Sequence, residues 1–359
     1  MLPITAGSPP KLRCHHACDS TATGSINLKG KPVIVLQGTS RTLIIDDLQK
    51  AIFGEPEEIE PADDSSRVIP DIPVSISDLA AFDADIDIQV GRFQGVNARL
   101  EDINLQFKVK DGALELDRAV YRDDKGSFDA NAILTPEGDN VRMVLNLKGD
   151  AADLGLFTHP NQSPETIPRY SLDVAIAGLG ATVAEIAAGL NGRVLISSDG
   201  GRIDNALLDS FAGDFLSNVL DVLNPFVKNE KYTNMDCMVI NTTITDGIVN
   251  LEPGFVMRTN RVNMFVFGKL NLASEKLDLS LATQARQGIG LSAASITNPY
   301  FKVGGTLAAP ALQLDPGSAA LAASIATATA GLSIVIRGFW DRLQGETNPC
   351  PAFLNYQPK

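Results

Sequence analysis

Hydrophobic and polar residues alternate through most of this chain, and residues 261–283 show the pattern most clearly. Apolar side chains recur there at every second position, and after a short polar break the pattern resumes from Leu277 to Leu281. A period of two places successive side chains on opposite faces of a strand. The segment therefore predicts a β-hairpin with one apolar face and one more polar face. Phe265 and Phe267 fall on the polar face, and we interpret them as covered by a helix rather than as a binding site.

A second hairpin of the same kind is predicted around Asp111–Gly112. Phe107 and Val109 alternate with polar residues before this pair, and Leu114 and Leu116 alternate after it. An Asp-Gly pair supplies the positive φ angles that a tight hairpin turn requires. Asp199–Gly200 and Asp246–Gly247 predict similar turns, and strand-like segments cover residues 25–45, 83–93, 128–147, 171–176, 193–203, 237–251 and 301–314. The pattern predicts a mainly β fold with a few helices (α+β), arranged as an elongated antiparallel meander.

Four segments carry helical rather than strand patterns. Thr182 and Glu185 fit a capping box at the start of a short helix. Residues 205–223 carry an apolar stripe at helical spacing, and residues 46–53 are a shorter candidate. A C-terminal helix is predicted over residues 318–343, and much of it has no charge but is rich in Ala, Ser and Thr. We interpret it as a helix that packs on the sheet, because it is only weakly hydrophobic for a membrane span.

These elements suggest a division of the chain into six parts. An acidic, proline-containing stretch without periodicity is typical of a solvated linker, and it separates the first strands from the rest. The predicted parts are a disordered segment 1–23, strands and a short helix 24–53, the acidic linker 54–67, an antiparallel meander 68–180, a second sheet with two helices 181–317, and a C-terminal helix and tail 318–359.

The charge balance limits the kinds of partner. The 359 residues carry a formal net charge of -13, and the pI is about 4.7. Nucleic-acid binding depends on basic patches that neutralise phosphates, so the sequence argues against that function. An acidic chain is also not attracted as a whole to anionic lipid headgroups.

The first twenty residues do not have the pattern of a secretory signal. They lack an apolar core and contain Pro9–Pro10. Two possibilities remain, a cytoplasmic protein or the downstream part of a longer exported protein. The strand pattern begins abruptly after Gly24, which favours the second possibility.

No motif in the sequence indicates catalysis. The chain has three histidines and contains no GxSxG, HExxH or GxxxxGK[ST] sequence. Asp83, Asp85 and Asp87 alternate in a way that suggests calcium binding, but an EF-hand loop needs Gly and Glu where this chain has Ile88 and Gln94. We interpret the three aspartates as the solvated face of a strand. The sequence therefore predicts neither an enzyme nor a site for a metal or a cofactor.

The four cysteines leave one question open. Cys14 and Cys18 flank two histidines, which is half of a zinc-binding pattern, and we interpret this stretch as part of the disordered N-terminal segment. Cys237 and Cys350 could form a disulfide if the compartment is oxidising. The alternative is two unpaired thiols, one on a strand and one in the tail.

The order of several segments resembles that of a known family. The stretches GRVLISSDGGRIDNALLDSF at 192–211, the long strand-rich segment 235–284, VGGTLAAPALQLDP at 303–316 and NPC at 348–350 resemble the C-terminal region of AsmA-family proteins. Segments 74–93 and 105–134 resemble the strands that precede that region. The resemblance covers approximately residues 24–350, and each motif is loose while their order is more specific.

The resemblance implies a location and a function. AsmA-like proteins belong to the Gram-negative envelope, where an N-terminal helix, which is missing from this chain, anchors a periplasmic body in the inner membrane. They are related to bridge-like lipid-transfer proteins, in which the sheet curls into a groove lined with apolar residues. The family is linked to outer-membrane assembly and to phospholipid movement. It has no catalytic residues to assign to this chain.

Together, pattern and resemblance predict a curved antiparallel sheet whose apolar groove binds an acyl lipid and which carries amphipathic helices. The candidate groove residues are Phe107, Val109, Leu114, Leu116, Leu277, Leu279 and Leu281. Expected partners are a phospholipid or another acyl lipid, the inner membrane and envelope proteins, with no nucleic acid and no cofactor. The alternative is a non-enzymatic scaffold that acts through protein partners. The oxidising periplasm that the resemblance implies also favours the Cys237–Cys350 disulfide.

Overall fold

Strands dominate the structure, which is a computed structural model. It describes residues 20–44, 67–74, 76–94, 99–122, 125–153, 163, 165–204, 231–260, 262–286, 301–314 and 347–356. Strands account for 70% of the described residues, in a large open sheet. The predicted mainly β fold is therefore confirmed. The predicted helices over 46–53, 205–223 and 318–343 lie outside the described residues, as does the acidic linker except for Arg67.

The chain divides into two compact units, and the first contains eight strands. Their bounds are β1 Ser20–Asn27, β2 Val33–Ile44, β3 Asp83–Gln94, β4 Arg99–Lys110, β5 Ala113–Arg122, β6 Ser127–Glu137, β7 Asn140–Ala152 and β8 Tyr170–Gly180. Their spatial order follows the sequence. Regular structure thus begins at Ser20, four residues before the predicted boundary after residue 23.

One pair in this unit differs from the predicted antiparallel sheet. β2 and β3 run parallel, with Val33 opposite Asp83 and Ile44 opposite Gln94. A parallel pair needs a crossover connection rather than a tight turn, and residues 45–82 separate β2 from β3 in the sequence. Every other strand pair of the unit is antiparallel. Alternation within a strand does not determine the direction of its neighbour, which is why the sequence did not show this exception.

The second unit contains the remaining eight strands. They are β9 Asn191–Ser198, β10 Gly201–Asp204, β11 Tyr232–Thr245, β12 Ile248–Thr259, β13 Val262–Asn271, β14 Lys276–Ala285, β15 Phe301–Gly305 and β16 Pro310–Leu314. β9 to β16 follow one another in the sheet, except that β9 and β10 both pair with β11. All these pairs are antiparallel.

Two Asp-Gly pairs form turns between strands, and a third separates two strands, β9 and β10, that pair with the same neighbour. Asp111–Gly112 and Asp246–Gly247 have φ angles of 51°, 83°, 47° and 69°, and they join adjacent strands as predicted. Asp199–Gly200 does not form the predicted turn, because the strands on either side of it continue along the same edge of β11. Gly200 has φ 122°. Glycine supplies positive φ for a strand irregularity as readily as for a turn.

Two short α-helices are described, α1 Val183–Ala188 and α2 Cys350–Leu354. α1 begins with the predicted capping box: the Glu185 N–H donates to Thr182 Oγ1 at 3.2 Å, and Glu185 Oε2 accepts from the Ala181 N–H at 2.7 Å. A 3-10 helix, Ser77–Ala81, precedes β3. None of the helices in the described ranges is long and apolar enough to cross a membrane.

Candidate functional site

The sheet of the first unit has one face on which apolar residues align across every strand. Directly opposed residues of neighbouring strands point to the same side of a sheet, so the register defines rows of side chains. We call two of these rows the first apolar face. They are Ile26, Ile34, Ala84, Val109, Leu114, Leu134, Met143 and Gly178, and Gly24, Leu36, Ile86, Phe107, Leu116, Ala132, Leu145 and Ile176.

Neither row contains a polar side chain, although each crosses all eight strands. Ala84 and Val109 are 6% exposed, while Phe107, Leu114 and Leu116 are half-buried. A continuous apolar surface that is left exposed often marks a binding site. The first four candidate groove residues therefore belong to one surface.

α1 covers the β8 end of the first apolar face. Ile186 of α1 is buried, and a Cβ at Gly178 would lie 2.7 Å from the Ile186 carbonyl oxygen. Glycine at this position lets the helix backbone rest directly on the strand. The 3-10 helix reaches the turn between β4 and β5, where a Cβ at Gly112 would lie 3.5 Å from the Ala80 Cβ.

On the opposite face of the first unit, polar residues of β3 and β4 form pairs with their neighbours. Lys31 Nζ donates to Asp83 Oδ1 at 2.5 Å, and Gln106 Nε2 donates to Asp87 Oδ2 at 3.2 Å. The hydrogen bond from Lys31 lowers the pKa of Asp83 below its usual range. Among the described residues, no three His, Cys, Asp or Glu side chains are close enough to hold a metal ion. Asp83 and Asp87, two of the alternating aspartates, thus take part in ordinary surface pairing.

The second unit carries the other three candidate groove residues. Leu281 lies opposite Val266, and the row continues through Phe255 and Ile240 to Ile196. We call this row, with Leu277 and Leu279 on the same side of β14, the second apolar face. Leu281 is 6% exposed, and Leu277 and Leu279 are half-buried. The seven candidates therefore form two groups, one in each unit, and their role in lipid binding remains a prediction.

On the other side of the sheet in the second unit, aromatic residues pack in a cluster with α2. Phe265 and Phe267 are both 1% exposed, and their ring centroids lie 6.0 Å and 6.2 Å from that of Phe353 in α2. The interpretation that a helix covers these two phenylalanines is therefore confirmed. The cluster consists of Cys237, Val239, Val256, Phe265, Phe267, Ala282, Cys350 and Phe353.

A disulfide attaches α2 to β11. Cys237 and Cys350 are bonded, with their Cα atoms 6.5 Å apart and a sequence separation of 113. The predicted pairing is therefore present in the structure. A second attachment was not foreseen: Asn241, which is 1% exposed, donates from Nδ2 to the carbonyl oxygens of Phe353 at 2.9 Å and Tyr356 at 3.0 Å. An isolated Asn in a strand carries no sequence signal for this role.

A buried carboxylate at the turn between β13 and β14 was also missed. Glu275 is 1% exposed, and it accepts hydrogen bonds from the backbone N–H groups of Val68 at 2.8 Å and Ile69 at 2.9 Å. Arg67 Nε lies 3.4 Å from Glu275 Oε1. Burial alone would raise the pKa of Glu275, but the two N–H donors and the guanidinium outweigh it and lower the pKa.

The sequence matches the model of one known protein family. No curated protein and no solved structure gives a significant match to this chain. The model of the AsmA family matches residues 61–253, a range that includes β3 to β11 and the start of β12. This range contains most of the first apolar face and is more than half of the 359 residues. The chain therefore belongs to the AsmA family.

Proposed function

We propose that this chain is a non-enzymatic envelope protein that binds an acyl lipid on its apolar sheet faces. In this proposal its body is periplasmic and attached to the inner membrane, and it supports phospholipid transport or outer-membrane assembly. The AsmA family is associated with the bacterial envelope. The observation that carries the proposal is the first apolar face, on which two rows cross eight strands without a polar side chain.

The size of the hydrophobic effect makes an acyl chain a suitable ligand for this surface. Burying one methylene group contributes about 0.8 kcal/mol. An acyl chain of about 16 carbons would then gain on the order of 10 kcal/mol before the costs of ordering are subtracted. Half-buried residues such as Phe107 and Leu116 offer the surface that such a chain would cover. Because the chain carries a formal net charge of -13, the proposal assigns the affinity to apolar contact rather than to charge attraction.

Lipid extraction from the purified protein followed by mass spectrometry tests the proposal directly. We expect an acyl lipid to remain with the native protein, and photo-crosslinking with an acyl-chain probe to label the apolar faces. Leu116→Asp in the first unit and Leu279→Asp in the second place a charge on these faces, so each should abolish labelling of its own unit.

The matched control is Ile133→Asp. Ile133 is 41% exposed and lies on β6 next to Ala132 of the first apolar face, so its side chain points to the opposite side of the sheet. This variant should retain labelling. Unchanged labelling in folded Leu116→Asp and Leu279→Asp would show that the two faces do not bind lipid. A native protein without any bound acyl lipid would favour the scaffold alternative.

A further inference from the structure

β1 forms an open edge of the first unit. It pairs with β2 in an unbroken register from Ser20 opposite Ser40 to Asn27 opposite Val33, and no other strand in the described part of the chain pairs with it. Residues 21–27 are all exposed, and Ile26 is 49% exposed. In an antiparallel pair, alternate residues direct their N–H and C=O groups away from the partner strand. The outer side of β1 therefore presents backbone groups that can pair with a further strand.

Natural edge strands usually carry features that prevent such pairing. Shortness, proline, charged side chains and bulges are the common ones. The sequence of β1, STATGSIN, has eight residues with no charge and no proline, and its register with β2 has no shift. The edge strand at the other end of the sheet order differs, since β16 has five residues and begins with Pro310. Of these two described edge strands, only β1 lacks such protection.

We propose that the outer edge of β1 binds β1 of a second copy of this chain, antiparallel and across a two-fold axis. The uncharged strand makes this contact without placing like charges opposite each other, although the whole chain is acidic. Gly24 and Ile26 lie on the first apolar face, and the side chain of Ala22 points to the same side of the sheet. A two-fold axis perpendicular to the sheet keeps that face on the same side in both copies. With the axis at Thr23, the row of Gly24 continues into Ala22 of the second copy, and Ile26 lies opposite Ser20.

The polar side of β1 also suits a copy of itself. Thr21 and Thr39 already share a cross-strand hydrogen bond between their Oγ1 atoms, 2.7 Å apart. A two-fold axis at Thr23 places Thr23 opposite its own counterpart and Thr21 opposite Ser25. The ladder of hydroxyl groups would then extend into the second copy, and such Thr–Thr and Thr–Ser pairs stabilise antiparallel strands. This pairing does not depend on lipid binding.

Sedimentation velocity of the full chain over a concentration series tests the interface. One strand pair buries less than a standard protein interface, so we expect a monomer–dimer equilibrium with a Kd of about micromolar. Thr23→Lys places two like charges opposite each other at the axis, and it should weaken the dimer by at least about tenfold. Ile133→Lys adds the same charge to an exposed position of the central strand β6, and it should leave the Kd unchanged.

A cross-linking variant tests the register independently of stability. Thr23→Cys, combined with Cys14→Ser and Cys18→Ser, should form a disulfide-linked dimer on mild oxidation, while Ile133→Cys in the same background should not. A chain that stays monomeric, or a dimer that Thr23→Lys leaves intact, overturns the proposal. Lipid retention by the Thr23→Lys monomer separates this proposal from the proposed function, since that variant should still bind lipid.

Discussion

At the scale of single residues, Glu275 has an unusual combination of burial and charge. Its carboxylate accepts from Val68 and Ile69 and lies beside Arg67, so residues 67–69 are held on the turn between β13 and β14. The pKa of Glu275 is lower in the folded protein than the usual value of about 4.3. A carboxyl with a lowered folded pKa contributes stability above its unfolded pKa, and this contribution is lost as the pH falls through the folded pKa.

We therefore expect residues 67–69 to detach selectively in acid. Amide hydrogen exchange at Val68 and Ile69 should be protected near neutral pH and should lose protection in acid, as the pH falls through the lowered pKa of Glu275. Glu275→Gln should show weak protection at both pH values, because the charge is absent throughout. Glu137, a surface partner of Arg142, provides a control, and Glu137→Gln should leave the exchange of Val68 and Ile69 unchanged. Equal protection of native protein at both pH values would contradict this role.

Asn241 is the second residue whose replacement has a clear expected effect. Asn241→Leu would leave the carbonyl oxygens of Phe353 and Tyr356 without their buried donor. We expect the free energy of unfolding to fall by about 1–3 kcal/mol, the usual cost of unpaired buried polar groups. Asn146→Leu is the matched control, since Asn146 donates to Asn131 on a half-buried surface and should cost less. Urea denaturation of both variants measures the difference, and equal losses would contradict the expectation.

At the scale of elements, α2 is stabilised mainly by tertiary contacts rather than by its own backbone hydrogen bonds. A helix of five residues is too short to be stable by itself. The disulfide, the Asn241 amide and the packing of Phe353 hold it on the sheet. The stability of α2 therefore depends on these three tertiary contacts.

Removing the disulfide should release α2 and uncover the aromatic cluster. A bond that closes a loop of more than 100 residues contributes about 4–5 kcal/mol in the chain-entropy model. We expect Cys350→Ser to lose a substantial part of that stability and to bind a hydrophobic dye at Phe265 and Phe267. Reductant should have the same effect on the native chain and no further effect on Cys237→Ser/Cys350→Ser. Unchanged dye binding in the reduced protein would show that α2 stays in place without the bond.

The sequence predicts these elements to different degrees. Alternation locates the hairpin strands and the turns at Asp111–Gly112 and Asp246–Gly247, because side-chain period and positive φ are local properties. It does not distinguish the interruption at Asp199–Gly200, where the same residue pair serves a different geometry. The parallel direction of β2 and β3 depends on contacts distant in sequence.

In the candidate site, too, the sequence predicts local contacts but not contacts between residues distant in the chain. The register needed to join Phe107 and Leu116 into one row follows from their hairpin, so the sequence was sufficient there. The continuation of that row into Leu36 crosses the parallel pair, and no local pattern indicates it. Glu275 and Asn241 each act on residues more than 100 positions away, and single polar residues in strands or turns carry no sign of such partners.

At the scale of the whole molecule, lipid binding through apolar contact and lipid binding through charge attraction should respond differently to salt. If acyl chains bind through the apolar faces, retention of lipid should not fall as salt rises from about 0.05 M to about 1 M, since screening weakens only charge interactions. Co-purified lipid measured after washes across this range provides the test, and a basic peptide bound to the protein serves as a salt-sensitive control. Release of the lipid by salt would indicate that its headgroup, rather than its acyl chain, provides the affinity.

The position of α2 at residues 350–354 also determines when the second unit can be completed during synthesis. A ribosome produces β11 to β14 well before it reaches the tail, so Phe265 and Phe267 have no cover until Phe353 has been added. Cys237 must likewise wait for Cys350 while Cys14 and Cys18 already exist as competing thiols. During that interval the nascent chain exposes both an aromatic surface and a reactive sulfur. Its maturation should therefore depend on chaperones and on disulfide exchange, and shortening the tail should reduce yield before it affects any binding activity.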